Sequence, residues 1–269
     1  MKVAIVIPCI NLWNEYTKAC LDSIKTKYDH RILLIDNGST DVTKVEAGKL
    51  VSATFSHKRN EERWSCSKSW NYGVKDAFER GYDLVLILNN DVVLHPEAID
   101  RLVEKFASQK KGHPGHPFSQ PELGMVTMMD ITGECVEPKD IFNKSPKDFE
   151  LVAEAEHPCF SGFMINQECY ERIGEFDEGF DPCYFEDNDY HRRIKLGGMK
   201  AIVLPTALFY HYGSRTQNES GDTPVCSSPQ FEKLRAYYVA KWGGPPGHET
   251  WDSPFNGTTD IKLTKQNNK

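Results

Sequence analysis

The aliphatic run Leu84-Val-Leu-Ile-Leu88 stops abruptly in Asn89-Asn90-Asp91. Five consecutive aliphatic residues bounded by turn formers read as a strand buried on both faces, the mark of a parallel sheet covered by helices. Such a strand delivers its last polar side chain to the carboxyl edge of the sheet, where open α/β sheets hold their ligands. The pattern recurs at residues 3–7, which run into Pro8-Cys-Ile-Asn11, and at residues 31–35, which end in Asp36-Asn-Gly-Ser-Thr-Asp41. Three strand ends thus direct polar groups to one crevice.

Helical patterns alternate with these strands. Residues 17–25 read as a helix, and residues 67–80 place Trp70, Val74, Ala77 and Phe78 on one face before Gly81. Residues 96–106 have proline in the first turn. Strands follow at 124–129, 161–165 and 201–204, with helices at 167–173 and 186–196. The last opens with carboxylates and closes with Arg192, Arg193 and Lys195 before Gly197-Gly198. A further helix is expected from Gln230 to Trp242. The aperiodic stretch 108–121 reads as a surface loop, in which the proline-flanked His113 and His116 are solvated rather than metal-bound. Residues 132–156 read as irregular, and the tail from about Asn256 as loosely held. The alternation predicts an α/β fold around one mostly parallel sheet.

A chain of 269 residues can bury one sizeable core. Its formal net charge of −7 argues against broad nucleic-acid affinity. No apolar stretch approaches the length of about 18 residues needed to span a bilayer, which leaves only peripheral membrane contact open. The N-terminal apolar run is shorter than a secretory leader. Eight cysteines are scattered without a CxxC pair, which predicts reduced thiols and a cytoplasmic setting.

Neither GxGxxG nor GxxxxGK[ST] occurs, so a bound phosphate must be neutralised by a metal or by side chains. Asp91 offers a hard oxygen ligand suited to Mg²⁺ or Mn²⁺ on a diphosphate, although Asn-Asn-Asp also suits a plain turn. A second acidic group, Phe185-Glu186-Asp187-Asn188-Asp189, supplies carboxylates able to take a proton from an attacking hydroxyl.

The order of these motifs resembles the family 2 glycosyltransferases of the GT-A fold, especially rhamnosyltransferase-like members. The resemblance runs from about Val3 to Ser214. It includes Asn71-Tyr-Gly73, Ser161-Gly-Phe163, Gly174-Glu-Phe-Asp-Glu178 and His211-Tyr-Gly-Ser214 as well as the motifs above. It implies a nucleotide-binding donor half over residues 1–91, an acceptor half over 92–215 and an accessory segment over 216–269. Pro8 and Asn11 would wrap the nucleotide, Asp36 would receive the base, and Asn71, Asn89 and Asn90 would lie on the donor side. Asp91 and His211 would hold the metal. Asn89 stands where the family's metal motif has its first acid, so the site carries one charge less. Asp187 would be the general base of an inverting transfer, with Glu186 or Asp189 as competitors for that role. Asp177 and Glu178 would shape the acceptor loop, Trp70 belongs to the core, and Trp64 reads either way.

The implied donor is a UDP- or dTDP-sugar, and the partner a glycan or glycoconjugate acceptor. A sugar nucleotidyltransferase would need a Gly-rich, basic phosphate loop after the first strand, which Pro8-Cys-Ile-Asn11 does not supply. A non-catalytic nucleotide-sugar-binding module remains the principal alternative.

Overall fold

The computed structural model describes residues 1–109, 122–155, 159–213 and 228–257. His113, His116 and Ser214 lie outside the described residues. Eight strands form one sheet in the order β3-β2-β1-β4-β7-β6-β8-β5. They are β1 (Lys2–Cys9), β2 (Asp29–Asp36), β3 (Phe55–Arg59), β4 (Leu84–Leu88), β5 (Val92–Leu94), β6 (Glu122–Asp130), β7 (Gly162–Asn166) and β8 (Met199–His211). The helices are α1 (Lys18–Ser23), α2 (Thr43–Lys49), α3 (Cys66–Glu79), α4 (Ala98–Ala107), α5 (Gln167–Ile173), α6 (Glu186–Leu196) and α7 (Pro229–Trp242). Among the described residues no helix is long and apolar enough to cross a membrane.

Four of the seven strand pairings are parallel, so the sheet is mostly parallel, as the alternation predicts. β3, β2, β1 and β4 are parallel neighbours, as are β6 and β8. β7 enters antiparallel between β4 and β6, and β5 pairs antiparallel with the end of β8. Among the described residues between β6 and β7 the chain makes short 3₁₀ turns and no α-helix, whereas parallel neighbours need a longer crossover, usually a helix.

Strand alternation sorts the core onto the two faces. Val3, Ile5 and Ile7 of β1 and Leu84, Leu86 and Leu88 of β4 pack with Ile99, Leu102 and Val103 of α4. Ala4, Val6, Val85 and Ile87 face the other way, against Trp70, Val74 and Ala77 of α3 and Tyr190 and Ile194 of α6. Full burial of each large aliphatic side chain contributes about 1.5–3 kcal/mol, so β1 and β4 are held from both sides. A smaller apolar cluster joins Phe180 and Phe185 to Leu234, Tyr238 and Trp242 of α7.

α3 lies close on β1. A Cβ built on Gly73 would stand 2.3 Å from Cγ1 of Val6. Gly73→Ala is therefore expected to destabilise the protein by about 1–3 kcal/mol through overpacking, outweighing the gain in helix propensity. Chemical denaturation should show this loss, and Val6→Ala in the same chain should recover part of it.

Candidate active site

The carboxyl ends of β1 and β4, the loop after β2, the start of β7, the end of β8 and the first turn of α6 enclose a cavity of about 370 Å³. That volume is in the range of small-ligand sites. Pro8, Asn89, Asn90, Asp91, Glu186, Asp187 and His211 all contribute to its wall, so most of the site residues expected from sequence meet in one place.

Three of the expected donor-side residues are instead committed to protein groups. Asn11, with φ of 53°, accepts hydrogen bonds from the backbone of Thr40 at 2.7 Å and Asp41 at 3.3 Å, and its own N–H donates to Ser39 Oγ at 2.8 Å. It pins the loop after β1 to the loop after β2. Asp36 is fully buried: Ser39 N donates to Oδ1 at 2.8 Å and Arg59 Nη1 to Oδ2 at 2.7 Å, with His57 Nε2 at 3.6 Å. A base N–H would have to share an oxygen already held by these groups. Asn71 is the most fully engaged of the three. Its amide accepts from Phe176 N at 2.7 Å and donates to Phe176 O at 2.9 Å and Glu178 Oε1 at 3.0 Å, stapling α3 to the loop before α6. It lies outside the cavity wall.

At the end of β4, Asn90 donates to Thr17 Oγ1 at 2.8 Å, and Asn89 N donates to Ser161 O at 2.9 Å. These bonds fix the turn that presents Asp91. The antiparallel pairing of β5 with β8 puts Val92 opposite His211, which brings Asp91 beside that imidazole. Asp91 Oδ1 is 3.3 Å from His211 Nε2, and Ser161 Oγ lies 3.3 Å from the other ring nitrogen. Thr132 Oγ1 accepts from His211 N at 2.8 Å and holds its backbone. Burial works against a charged imidazole here, but the Asp91 carboxylate outweighs it and raises the His211 pKa.

One carboxylate and one imidazole within 3.3 Å suit adjacent positions on a divalent cation such as Mn²⁺. Among the described residues no cluster of three His, Cys, Asp or Glu is placed to hold a metal. A cation here would take its remaining ligands from water or a bound anion.

The acids of α6 divide by environment. Burial pushes Glu186 well above the usual carboxylate range, and its Oε2 has no hydrogen-bond partner. Burial also raises Asp187, opposed by the N–H of Asn188, which donates to its Oδ1 at 2.7 Å. Asp189, a competitor in the sequence reading, is fully buried and bound to Arg193 Nε at 2.8 Å, Lys241 Nζ at 2.5 Å and Trp242 Nε1 at 2.9 Å. These cations overcome the burial cost and lower its pKa. Asp189 is thus a structural anion, outside the cavity wall.

Other wall residues were not nominated as site residues from the sequence, apart from Trp64, which was left open. Asn37, after the β2 end, is tied to Ser69 and Asn60 by side-chain hydrogen bonds. Arg63 and Trp64 come from the loop between β3 and α3, and Lys58 and Lys68 lie over the Trp64 ring at 5.7 and 5.0 Å. Cys66 and Cys183 face each other there. Cys66 N donates to Pro182 O at 2.9 Å, and the Cys183 thiol bonded to Cys66 lowers the Cys66 pKa against the effect of burial. Neither cysteine has a neighbouring cysteine in sequence that could have marked it. Trp70 is core, packed edge-on against Phe163 and Phe176, and reaches the cavity at one edge.

The fold has counterparts among solved structures. GalNAc-T7 in complex with UDP, GalNAc and Mn²⁺ superposes with a TM-score of 0.61 at 16% identity, over 89% of this chain and 50% of that one. TarS of S. aureus in complex with UDP-GlcNAc gives 0.58 at 17% identity, over 89% and 66%. The mannosyltransferase PcManGT from Pyrobaculum calidifontis, in complex with GDP-Man and Mn²⁺, gives 0.54 at 16% identity, over 88% and 61%. The chain thus spans 61% of the length of PcManGT and 63% of that of TarS in its complex with UDP. No curated protein matches the sequence. At these identities the likeness shows the fold, a GT-A-like α/β domain. The model of the family "Glycosyl transferase family 2" matches residues 4–173, more than half of the sequence, and the chain belongs to that family.

Proposed function

We propose that this protein transfers a sugar from a nucleoside diphosphate sugar to an acceptor hydroxyl, with inversion at the anomeric carbon. The observation that carries the reading is the meeting, on one cavity wall, of the Asp91–His211 pair with the buried Glu186 and the half-buried Asp187. A nucleotide lies across the ends of β1, β2 and β4, in contact with Pro8 and the turn of Asn89 and Asn90. The donor is a UDP- or dTDP-sugar of the hexose type. The UDP complexes of TarS and GalNAc-T7 and the GDP-Man complex of PcManGT, proteins of this fold, support a nucleoside diphosphate sugar as donor.

Asp91 and His211 would hold Mn²⁺ or Mg²⁺. Such an ion, when bound, stabilises the charge that develops on the departing diphosphate. Ser161 keeps the imidazole oriented towards Asp91.

Asp187 accepts the proton of the incoming hydroxyl. Two adjacent carboxyls resist double ionisation, and the stronger upward shift on Glu186 makes Asp187 the first of the pair to ionise. Glu186, kept neutral, can donate a hydrogen bond to the acceptor. A raised pKa also makes Asp187 a stronger base than an ordinary aspartate. The acceptor is a glycan or glycoconjugate.

With only two protein ligands, Mn²⁺ alone should shift the thermal midpoint little, whereas Mn²⁺ with UDP should stabilise strongly by mass action. Asp91→Ala and His211→Ala should each remove this synergy. A panel of nucleoside diphosphate sugars read the same way names the donor, and binding without transfer to any acceptor or to water would favour a non-catalytic module.

Asp187→Asn should lower transfer by about 10²–10⁴-fold while leaving donor binding intact. In the wild type, activity should fall as pH drops through the raised Asp187 pKa, because the base is lost on protonation. The acid limb of kcat should therefore lie above the range of an ordinary aspartate, near pH 4. A limb at that ordinary value, or full activity in Asp187→Asn, would remove Asp187 from the role.

A further inference from the structure

The region beyond the family match contributes a buried cation. Lys241 of α7 is fully buried, and its ammonium lies 2.7 Å from Asp177 Oδ2 and 2.5 Å from Asp189 Oδ1. Asp177 belongs to the loop before α6 and also accepts a hydrogen bond from Tyr237 at 3.0 Å. Asp189 lies in the first turn of α6 and is held on its other oxygen by Arg193, whose Nη1 donates to Ile173 O at 3.0 Å. Asp177, Asp189, Arg193 and Lys241 therefore form a quartet of two charges of each sign. Charges taken out of water are tolerated when paired and hydrogen-bonded in this way.

We infer that Lys241 is a positioning residue: its ammonium anchors the first turn of α6 to the loop before it, and so aims Asp187 and Glu186 into the cavity. Successive residues of a helix are separated by about 100°, so Asp189 and Asp187 point to nearly opposite sides of α6. Holding Asp189 inward fixes the rotation that turns Asp187 towards the cavity. The backbone entering this turn needs such support. Tyr184 and Phe185 have φ of 84° and 72°, in the left-handed region that bulky side chains rarely occupy. Phe185 is itself covered by Tyr238 of α7, at a ring separation of 5.8 Å. The helix thus clamps the turn by an apolar contact and by an ion pair at once. The aiming of a base rests on the proposed function; the anchoring does not.

The test replaces Lys241 by Met in the full chain and follows amide exchange by mass spectrometry. Exchange over residues 184–190 should rise at least ten-fold while β1 and β4 keep their protection. In parallel, hydrolysis of the donor selected by the nucleotide-sugar screen should lose at least ten-fold in kcat with its KM changed less than two-fold. Should Lys241→Met fail to fold, Asp189→Asn with Lys241→Met restores charge balance, and the same local rise in exchange is expected. Unchanged exchange over residues 184–190 in a folded variant would overturn the inference, as would an equal rise across β1 and β4 with KM and kcat lost together. Raised local exchange with unaltered kcat would uphold the anchoring and instead remove Asp187 as the base.

Discussion

Everything in this molecule hangs on the burial of β1 and β4 from both faces. The residues of β4 are at most 1% exposed, and those of β1 from Val3 to Ile7 at most 5%. Because side chains alternate, each strand must find an apolar helix layer above and another below. That requirement fixes α3 on one side and α4 on the other. Polar groups are tolerated only where the strands stop, so Pro8, Asp36 and Asn89 to Asp91 collect at one edge. The site is where the core runs out, and its position follows from packing before any chemistry is considered.

The elements with a strong period were legible from sequence. α5 and α6 begin and end where capping and glycine signals place them, and β4 coincides with its aliphatic run. What was hidden has physical reasons. β8 extends to His211 although the apolar run seemed to stop at Leu204, because Pro205 sits in a register shift where Leu204 and Leu208 pair with consecutive residues of β6. Bulges are where a sheet accepts proline. β3 is an edge strand reading Phe-Ser-His-Lys-Arg, with no alternation to reveal it. β5 has only three residues. The mostly parallel sheet expected from the alternation takes in β7 as an antiparallel strand between β4 and β6, which no local pattern announces.

Site residues followed the same divide. Asp91 and His211 could be nominated singly, but their contact depends on the β5–β8 register, which no local pattern carries. Asn71 lies within a motif of the resemblance, yet its amide is spent on Phe176 and Glu178. Asp189 looked equivalent to Asp187 as an acid in the first turn of a helix. Two residues of separation put them on different sides of α6, one among cations and one in the cavity wall.

That separation shows how one acidic segment supports two opposite electrostatic outcomes. Burial raises the pKa of every carboxyl in the turn; only the partners differ. Asp189 meets Arg193, Lys241 and Trp242 and is held ionised. Glu186 meets no cation at its inner oxygen and is pushed towards the neutral acid. Asp187 has its neighbour's N–H and lies between these extremes. A base needs such an intermediate setting, since a carboxylate locked to a cation has no reason to take a proton and a neutral acid has no lone pair charged enough to attract one. The cations that engage Asp189 come from Arg193 of α6 itself and from Lys241 of α7. The turn that carries Asp187 into the cavity wall is therefore held by contacts with a C-terminal helix whose sequence, taken alone, reads as an appendage.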